Sequence, residues 1–94
     1  MAYSTISNWT ATDWTDEMLA LARDKFVPMI IGVGAQSVQM IRTGDLSFSV
    51  ITNYADAAAC AAAQSKIAEL RAQAKADMPM TMDSVSEGEV FAQS

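Results

Sequence analysis

The 94-residue sequence contains no histidine, one cysteine, two prolines and only six basic residues. Without histidine, the chain lacks the usual imidazole base, the commonest zinc ligand in proteins and the usual axial ligand of haem. Because Cys60 has no second cysteine to pair with, no internal disulfide or cysteine-cluster metal site can form. We therefore expect a protein that carries no metal and no cofactor.

The single cysteine lies in an alanine run, 57–63, with no basic residue beside it in the sequence. A nucleophilic cysteine needs a neighbouring base or positive charge to lower the pKa of its thiol. We therefore expect Cys60 to be a small buried residue of a helix.

Negative charge dominates, with eleven Asp and Glu against six Lys and Arg, a net charge of −5. Binding to nucleic acid needs clustered basic residues that neutralise phosphates, so we expect no nucleic-acid partner. The longest apolar run, 26–35, contains Pro28 and is far shorter than the roughly 20 residues that span a bilayer. No basic segment precedes an apolar stretch at the N-terminus, so we expect a cytoplasmic protein without a membrane partner.

Hydrophobic residues make up 51% of the chain, but 17 of them are alanines. The remaining bulky apolar side chains suffice for one small core, so we expect a single domain over residues 1–94. A chain of this size buries only about 60% of its unfolded surface on folding. A second copy that covers further apolar surface would stabilise it, and we expect a homodimer.

Hydrophobic periodicity and turn residues predict the order strand, helix, strand, strand, helix, strand. The predicted elements are a strand over 1–8, a helix from an N-cap at Thr15 to Gly32 and Gly34, two strands within 35–54, a helix over 56–78 stopped by Pro79, and a last strand over 80–92 interrupted at 87–89. Within the first helix, Pro28 predicts a kink near Val27 because it lacks a backbone N–H. This order predicts an α+β protein with a ferredoxin-like βαββαβ fold and a four-stranded antiparallel sheet.

The hairpin within 35–54 is predicted to turn through two residues, Gly44 and Asp45. That turn pairs Ile41 with Phe48 and leaves apolar and polar residues mixed on both faces. A sheet with one face in water usually alternates more cleanly, so we expect a partner sheet to cover the second face. Phe48, together with Ile41 and Val50, is expected in the core or in a dimer interface.

Four stretches of the sequence resemble the dimeric α/β-barrel superfamily, which includes antibiotic-biosynthesis-type monooxygenases and stress-responsive barrel domains. They are Ala-Arg-Asp-Lys-Phe-Val-Pro at 22–28, the Gly-Ala pair at 34–35, Phe-Ser-Val-Ile-Thr-Asn-Tyr at 48–54 and Asp-Ala at 56–57. The resemblance extends over nearly the whole chain in element order. It implies a homodimer whose two sheets face each other as an α/β barrel, with a ligand pocket between sheet and helices.

The resemblance implies no single chemistry, because one fold hosts many functions. Members that degrade haem use a histidine ligand, which this chain lacks. Cofactor-independent members that oxidise polycyclic aromatic substrates use Asn, Trp, Tyr and Arg side chains. The chain has all four residue types, but they do not align with those roles one by one, so no catalytic residue is assigned.

Seven residues are candidates for binding a ligand in the pocket. They are Arg42, Tyr54, Trp9, Phe26, Met29, Ile30 and Met40. Arg42 is the only basic residue on a predicted strand. It could anchor a ligand carboxylate or form a salt bridge with Asp45 or with an acid of the partner. Tyr54 ends a strand just before the second helix, and the methionines offer adaptable apolar contacts.

Three functions remain open on the sequence alone. The favoured one is a homodimer that binds an apolar or amphipathic small molecule, fatty-acid-like, in the pocket. The second is a cofactor-independent monooxygenase-like enzyme that uses Tyr54 and a tryptophan on a hydrophobic substrate. The third is a structural or interaction module without a pocket, which the alanine-rich second helix allows because small side chains permit tight closure.

Overall fold

The computed structural model describes residues 2–78 and 80–94; Met1 of the first predicted strand and Pro79, the predicted helix stop, lie outside the described residues. The elements are, in chain order, β1 (Tyr3–Ala11), α1 (Asp16–Leu21), a π-helical turn (Ala22–Phe26), α2 (Val27–Gly32), β2 (Ser37–Arg42), β3 (Ser47–Tyr54), α3 (Ala57–Asp77) and β4 (Met80–Glu89). The strands form one sheet in the order β2-β3-β1-β4, and every neighbouring pair is antiparallel. The fold is α+β and ferredoxin-like, as the element order predicts.

The first helical region begins and ends where the sequence predicts. The Thr15 hydroxyl accepts a hydrogen bond from the Met18 backbone N–H at 3.2 Å, which satisfies one of the unpaired donors of the first turn. At the other end α2 stops at Gly32, and Gly34 adopts a φ of 114°, which L side chains rarely tolerate.

The predicted kink appears as a π-helical turn immediately before Val27. Pro28 has no N–H to donate to the carbonyl of Asp24, so the regular i→i−4 ladder cannot continue there. The Val27 N–H instead donates to the carbonyl of Ala22, five residues back. The extra residue lets the helix pass the proline without breaking.

The hairpin register differs by one residue from the predicted one. Arg42 pairs with Phe48 and Met40 with Val50, and the Thr43 N–H donates to the Ser47 carbonyl at 2.9 Å. The loop therefore has three residues, 44–46, and the predicted two-residue turn is wrong. The observed register places Val38 and Met40 on the same side of the sheet as Phe48 and Val50, which the predicted pairing does not.

The two sheet faces differ more than the sequence suggested. The inner face, which carries Phe48, Val50, Thr52 and Tyr54 of β3, packs against both helical regions. The outer face carries rows of hydrogen-bonded serine and asparagine side chains together with a few isoleucines. One such row joins Ser49 to Asn8 at 2.6 Å and Asn8 to Ser84 at 3.0 Å, and the exposed isoleucines are Ile6 and Ile41.

The bounds of the first and last strands also differ from the prediction. β1 continues through Trp9 to Ala11, three residues beyond the predicted end. β4 runs unbroken through 87–89, where the sequence predicted an interruption, and the pairing shifts instead opposite Asn8 and Trp9. The predicted strand over 90–92 is not observed. The charged residues of β4 are tolerated because it is an edge strand, exposed over most of its length.

Helix α3 begins at an N-cap, Asp56, whose carboxylate accepts a hydrogen bond from the Ala59 N–H at 2.8 Å. It buries one stripe of side chains on the inner face of the sheet: Cys60, Ala63, Ile67, Leu70 and Ala74. The small residues of this stripe let the helix axis approach the strands closely.

We expect Asp56→Ala to lower the free energy of unfolding by about 1 kcal/mol, because it leaves the Ala59 N–H without its capping acceptor. Urea denaturation followed by circular dichroism measures the change. Asp56→Asn removes the same charge but keeps a capping oxygen, so it should retain most of the stability. An equal loss in both variants would contradict the capping role.

Candidate functional site

A cavity of about 200 Å³ lies between the inner face of the sheet and the helices. Strands β1 and β3 provide most of its floor, and its walls come from α1, the π-helical turn, α2 and α3. Its lining is mostly apolar. The residues that line it are Thr5, Ser7, Trp9, Trp14, Met18, Leu19, Ala22, Phe26, Ile30, Met40, Arg42, Phe48, Val50, Thr52, Tyr54, Ile67, Leu70, Arg71, Ala74, Met78 and Met80.

Six of the seven sequence-predicted candidates lie in this lining. They are Trp9, Phe26, Ile30, Met40, Arg42 and Tyr54. The seventh, Met29, instead lines a shallow groove between α2 and α3. A binding role for these residues stays a prediction.

Three aromatic rings form one wall of the cavity. The rings of Trp9 and Phe48 stack with 6.0 Å between centroids, and Trp14 meets Phe48 edge-on at 5.9 Å. The Trp9 indole N–H donates to the Ser7 hydroxyl at 2.8 Å, so its polar atom is satisfied. The wall therefore presents rigid apolar surface with no free indole donor from Trp9.

Arg42 reaches this wall but is held by its own hairpin. Its Nε donates to the Gly44 carbonyl at 3.1 Å and its Nη2 to the Asp45 carbonyl at 2.7 Å. Its guanidinium carbon also lies 4.3 Å from the centroid of the Trp14 ring. The partner at Asp45 is thus the backbone carbonyl, where the sequence suggested the carboxylate. Two of its five N–H donors are thus engaged by the hairpin, which fixes the orientation of the guanidinium.

Buried hydroxyls form a polar strip on the cavity floor that the sequence analysis missed. Thr5, Ser7 and Thr52 are each only 5% exposed, and all three line the cavity. Thr5 and Thr52 are cross-strand partners of β1 and β3. Hydroxyl residues on a strand usually indicate a solvated face, so only the true strand pairing, which places them beside Trp9 and Phe48, reveals them.

Tyr54 marks one end of the cavity and is 1% exposed. Burial raises the pKa of its hydroxyl; the nearby Cys60 raises it further, while the positive charge of Arg71 and a hydrogen bond from Gln64 lower it. Tyr54 therefore stays a neutral phenol at physiological pH, able to donate a hydrogen bond.

Cys60 lies beside Tyr54, buried as the sequence predicts. Its pKa is raised first by burial and then by the negative charge of Glu87, whose Oε2 lies 3.7 Å from the Cys60 Sγ. A thiol with a raised pKa is a poor nucleophile, which agrees with the expected structural role.

Among the described residues, no helix is long and apolar enough to cross a membrane. Within the same residues, no cluster of three or more cysteine, aspartate or glutamate side chains is placed to hold a metal ion.

Comparison with solved structures supports the fold. A Nitrosomonas europaea protein of unknown function has a TM-score of 0.73 and 18% identity, covering 99% of this chain and 92% of that one. A dimeric ferredoxin-like protein from an uncultured marine organism has a TM-score of 0.65 and 13% identity, with 99% and 98% covered. A NIPSNAP family protein from Agrobacterium tumefaciens has a TM-score of 0.59 and 14% identity, with 94% and 90% covered. No protein-family model and no curated protein matches this chain.

The raised pKa of Cys60 predicts a loss of stability in alkali. The folded protein holds the thiol proton more tightly than the unfolded chain does, so ionisation favours unfolding as the pH rises past the ordinary thiol pKa of about 8.5. Urea denaturation between neutral pH and mild alkali should show this decline in the wild type and a shallower one in Cys60→Ala. An unchanged slope in the variant would contradict the assignment.

Proposed function

We propose that the chain forms a homodimer of the dimeric α/β-barrel type and binds a small, mostly apolar molecule in the cavity. The observation that carries the proposal is the cavity itself, which has an aromatic wall of Trp9, Trp14 and Phe48 and a floor with buried hydroxyls. Binding sites for small molecules typically combine apolar walls with a few placed polar groups. A cavity also argues against the third interpretation, a module without a pocket.

The volume of the cavity limits the size of the ligand that it can hold. An engineered apolar cavity of about 150 Å³ in another protein binds benzene. The cavity here, about 200 Å³, therefore matches a substituted single ring or a short alkyl chain. This size favours a compact ring over the fatty-acid-like chain that the methionines suggested.

Two observations support the homodimer. The outer face of the sheet carries Ile6 and Ile41, which are 43% and 42% exposed, amid its serine and asparagine side chains. A second sheet laid against this face would cover both isoleucines, as in the superfamily that the sequence resembles. The similar protein from the uncultured marine organism is a dimeric ferredoxin-like protein.

One observation favours the second candidate, a cofactor-independent monooxygenase-like enzyme. Such an enzyme needs a polar group that is hydrogen-bonded inside the cavity, whereas a carrier needs only an apolar tunnel. Tyr54 can supply such a group, because its buried side chain lines the cavity and its phenol stays neutral at physiological pH. Oxygen consumption in the presence of a bound ring compound, absent in Tyr54→Phe, would favour the enzyme.

Filling the cavity should abolish binding of a small ring. Ala74 lines the cavity from α3, so Ala74→Leu places a larger side chain in the space that the ligand needs. Titration calorimetry with toluene should detect binding to the wild type and none to this variant. Ala72→Leu, at an exposed position of the same helix, should bind toluene as the wild type does. Absence of binding to the wild type would overturn the proposal.

A charge on the outer face should separate the homodimer. We expect Ile6→Lys to convert a particle of about 20 kDa, twice the 10.1 kDa chain mass, into a monomer, because it places an ammonium group in the sheet-to-sheet interface. Light scattering after size-exclusion chromatography measures the mass. Ile31→Lys, at 42% exposure on α2, is the matched control and should remain dimeric. A wild-type monomer would overturn the proposed assembly.

A further inference from the structure

We propose that Arg71 binds the carboxylate of the ligand, so that the cavity takes small aromatic acids of the arylacetate type. This inference rests on the proposed function and names its ligand class. The observation behind it is the charge of the cavity lining. Two arginines, Arg42 and Arg71, and no acidic residue line the described cavity, although the chain as a whole carries a net charge of −5.

Arg71 is placed on the cavity side of α3 by helical spacing. Ile67 lies four residues before it and Ala74 three residues after it, and both are buried against the cavity. Residues at these spacings share one helix face. Arg71 itself is half-buried and lines the cavity. A guanidinium in such a setting attracts an anion more strongly than one on the open surface.

The guanidinium of Arg71 is also available. The two ion pairs found among the described residues join Arg23 to Asp24 and Lys25 to Asp77. Arg42, the other arginine of the cavity, already donates two of its N–H groups to hairpin carbonyls. Arg71 therefore keeps the planar set of N–H donors that can hold both oxygens of a carboxylate.

The surroundings of Arg71 suit an aromatic acid. Its positive charge acts on Tyr54, whose neutral hydroxyl can donate a further hydrogen bond to a carboxylate oxygen. Glu87 also acts on Tyr54 with the opposite sign, but it lies on β4, outside the cavity lining. With the carboxylate at this end, the ring of the ligand would extend along the inner face of β3 towards Phe48.

The test compares phenylacetate with phenylacetamide, which has the same shape and no charge. Titration calorimetry on the wild type should show about tenfold tighter binding of phenylacetate, since a charge-assisted hydrogen bond is worth about one decade of affinity. Arg71→Gln should bind both compounds equally and keep the wild-type affinity for phenylacetamide, which also shows that the variant is folded. Lys75→Gln, which makes the same charge change at an exposed position one turn further along α3 and outside the cavity lining, should keep the preference.

The outcomes separate the two proposals. If the wild type binds toluene and phenylacetamide but does not prefer phenylacetate, the carboxylate site is wrong and the apolar cavity stands. If Arg71→Gln keeps the preference and Arg42→Gln loses it, Arg42 is the anchor and the assignment to Arg71 is overturned. If the wild type binds none of the three compounds, the proposed function itself fails.

Discussion

The pairing of β1 with β3 at the centre of the sheet is the constraint on which the rest of the molecule depends. It places Trp9 opposite Phe48 and Thr5 opposite Thr52, so one face receives both the aromatic stack and the buried hydroxyls. A shift of this register by one residue would leave Trp9 and Thr5 on the opposite face of the sheet from Phe48 and Thr52. The helices would then cover a polar surface, and the cavity would lose its aromatic wall.

The hairpin shows where the sequence stops determining the structure. The glycine-containing turn correctly predicted two antiparallel strands, but the same loop sequence is compatible with a two-residue and with a three-residue loop. The choice depends on which pairing places Met40 and Arg42 on the inner face beside Val50 and Phe48, and that depends on helices distant in the sequence. Local features such as the N-cap at Thr15 and the start of the second helix at Asp56 were predictable because they need only neighbouring residues.

The candidate site was predictable only in part, for a related reason. Five apolar or aromatic candidates could be found because such side chains line most cavities, and Arg42 could be found because it is the only basic residue on a predicted strand. Arg71 could not, because a basic residue within an alanine-rich helix that carries Gln64, Lys66 and Lys75 has the appearance of a solvated face. Its place in the cavity follows from the rotation of α3 about its axis, which the buried Cys60 and Ile67 set. No residue near Arg71 in the sequence signals that rotation.

The distribution of charge gives the cavity its chemical character. An acidic surface repels anions at long range, so a carboxylate ligand gains nothing from the net charge of the protein. The cavity reverses this sign locally with Arg42 and Arg71, and its apolar walls weaken the screening of both charges. Arg42 donates hydrogen bonds to the hairpin loop, and its guanidinium lies over the ring of Trp14. Arg71 can therefore act on a ligand against an aromatic wall that Arg42 has already ordered.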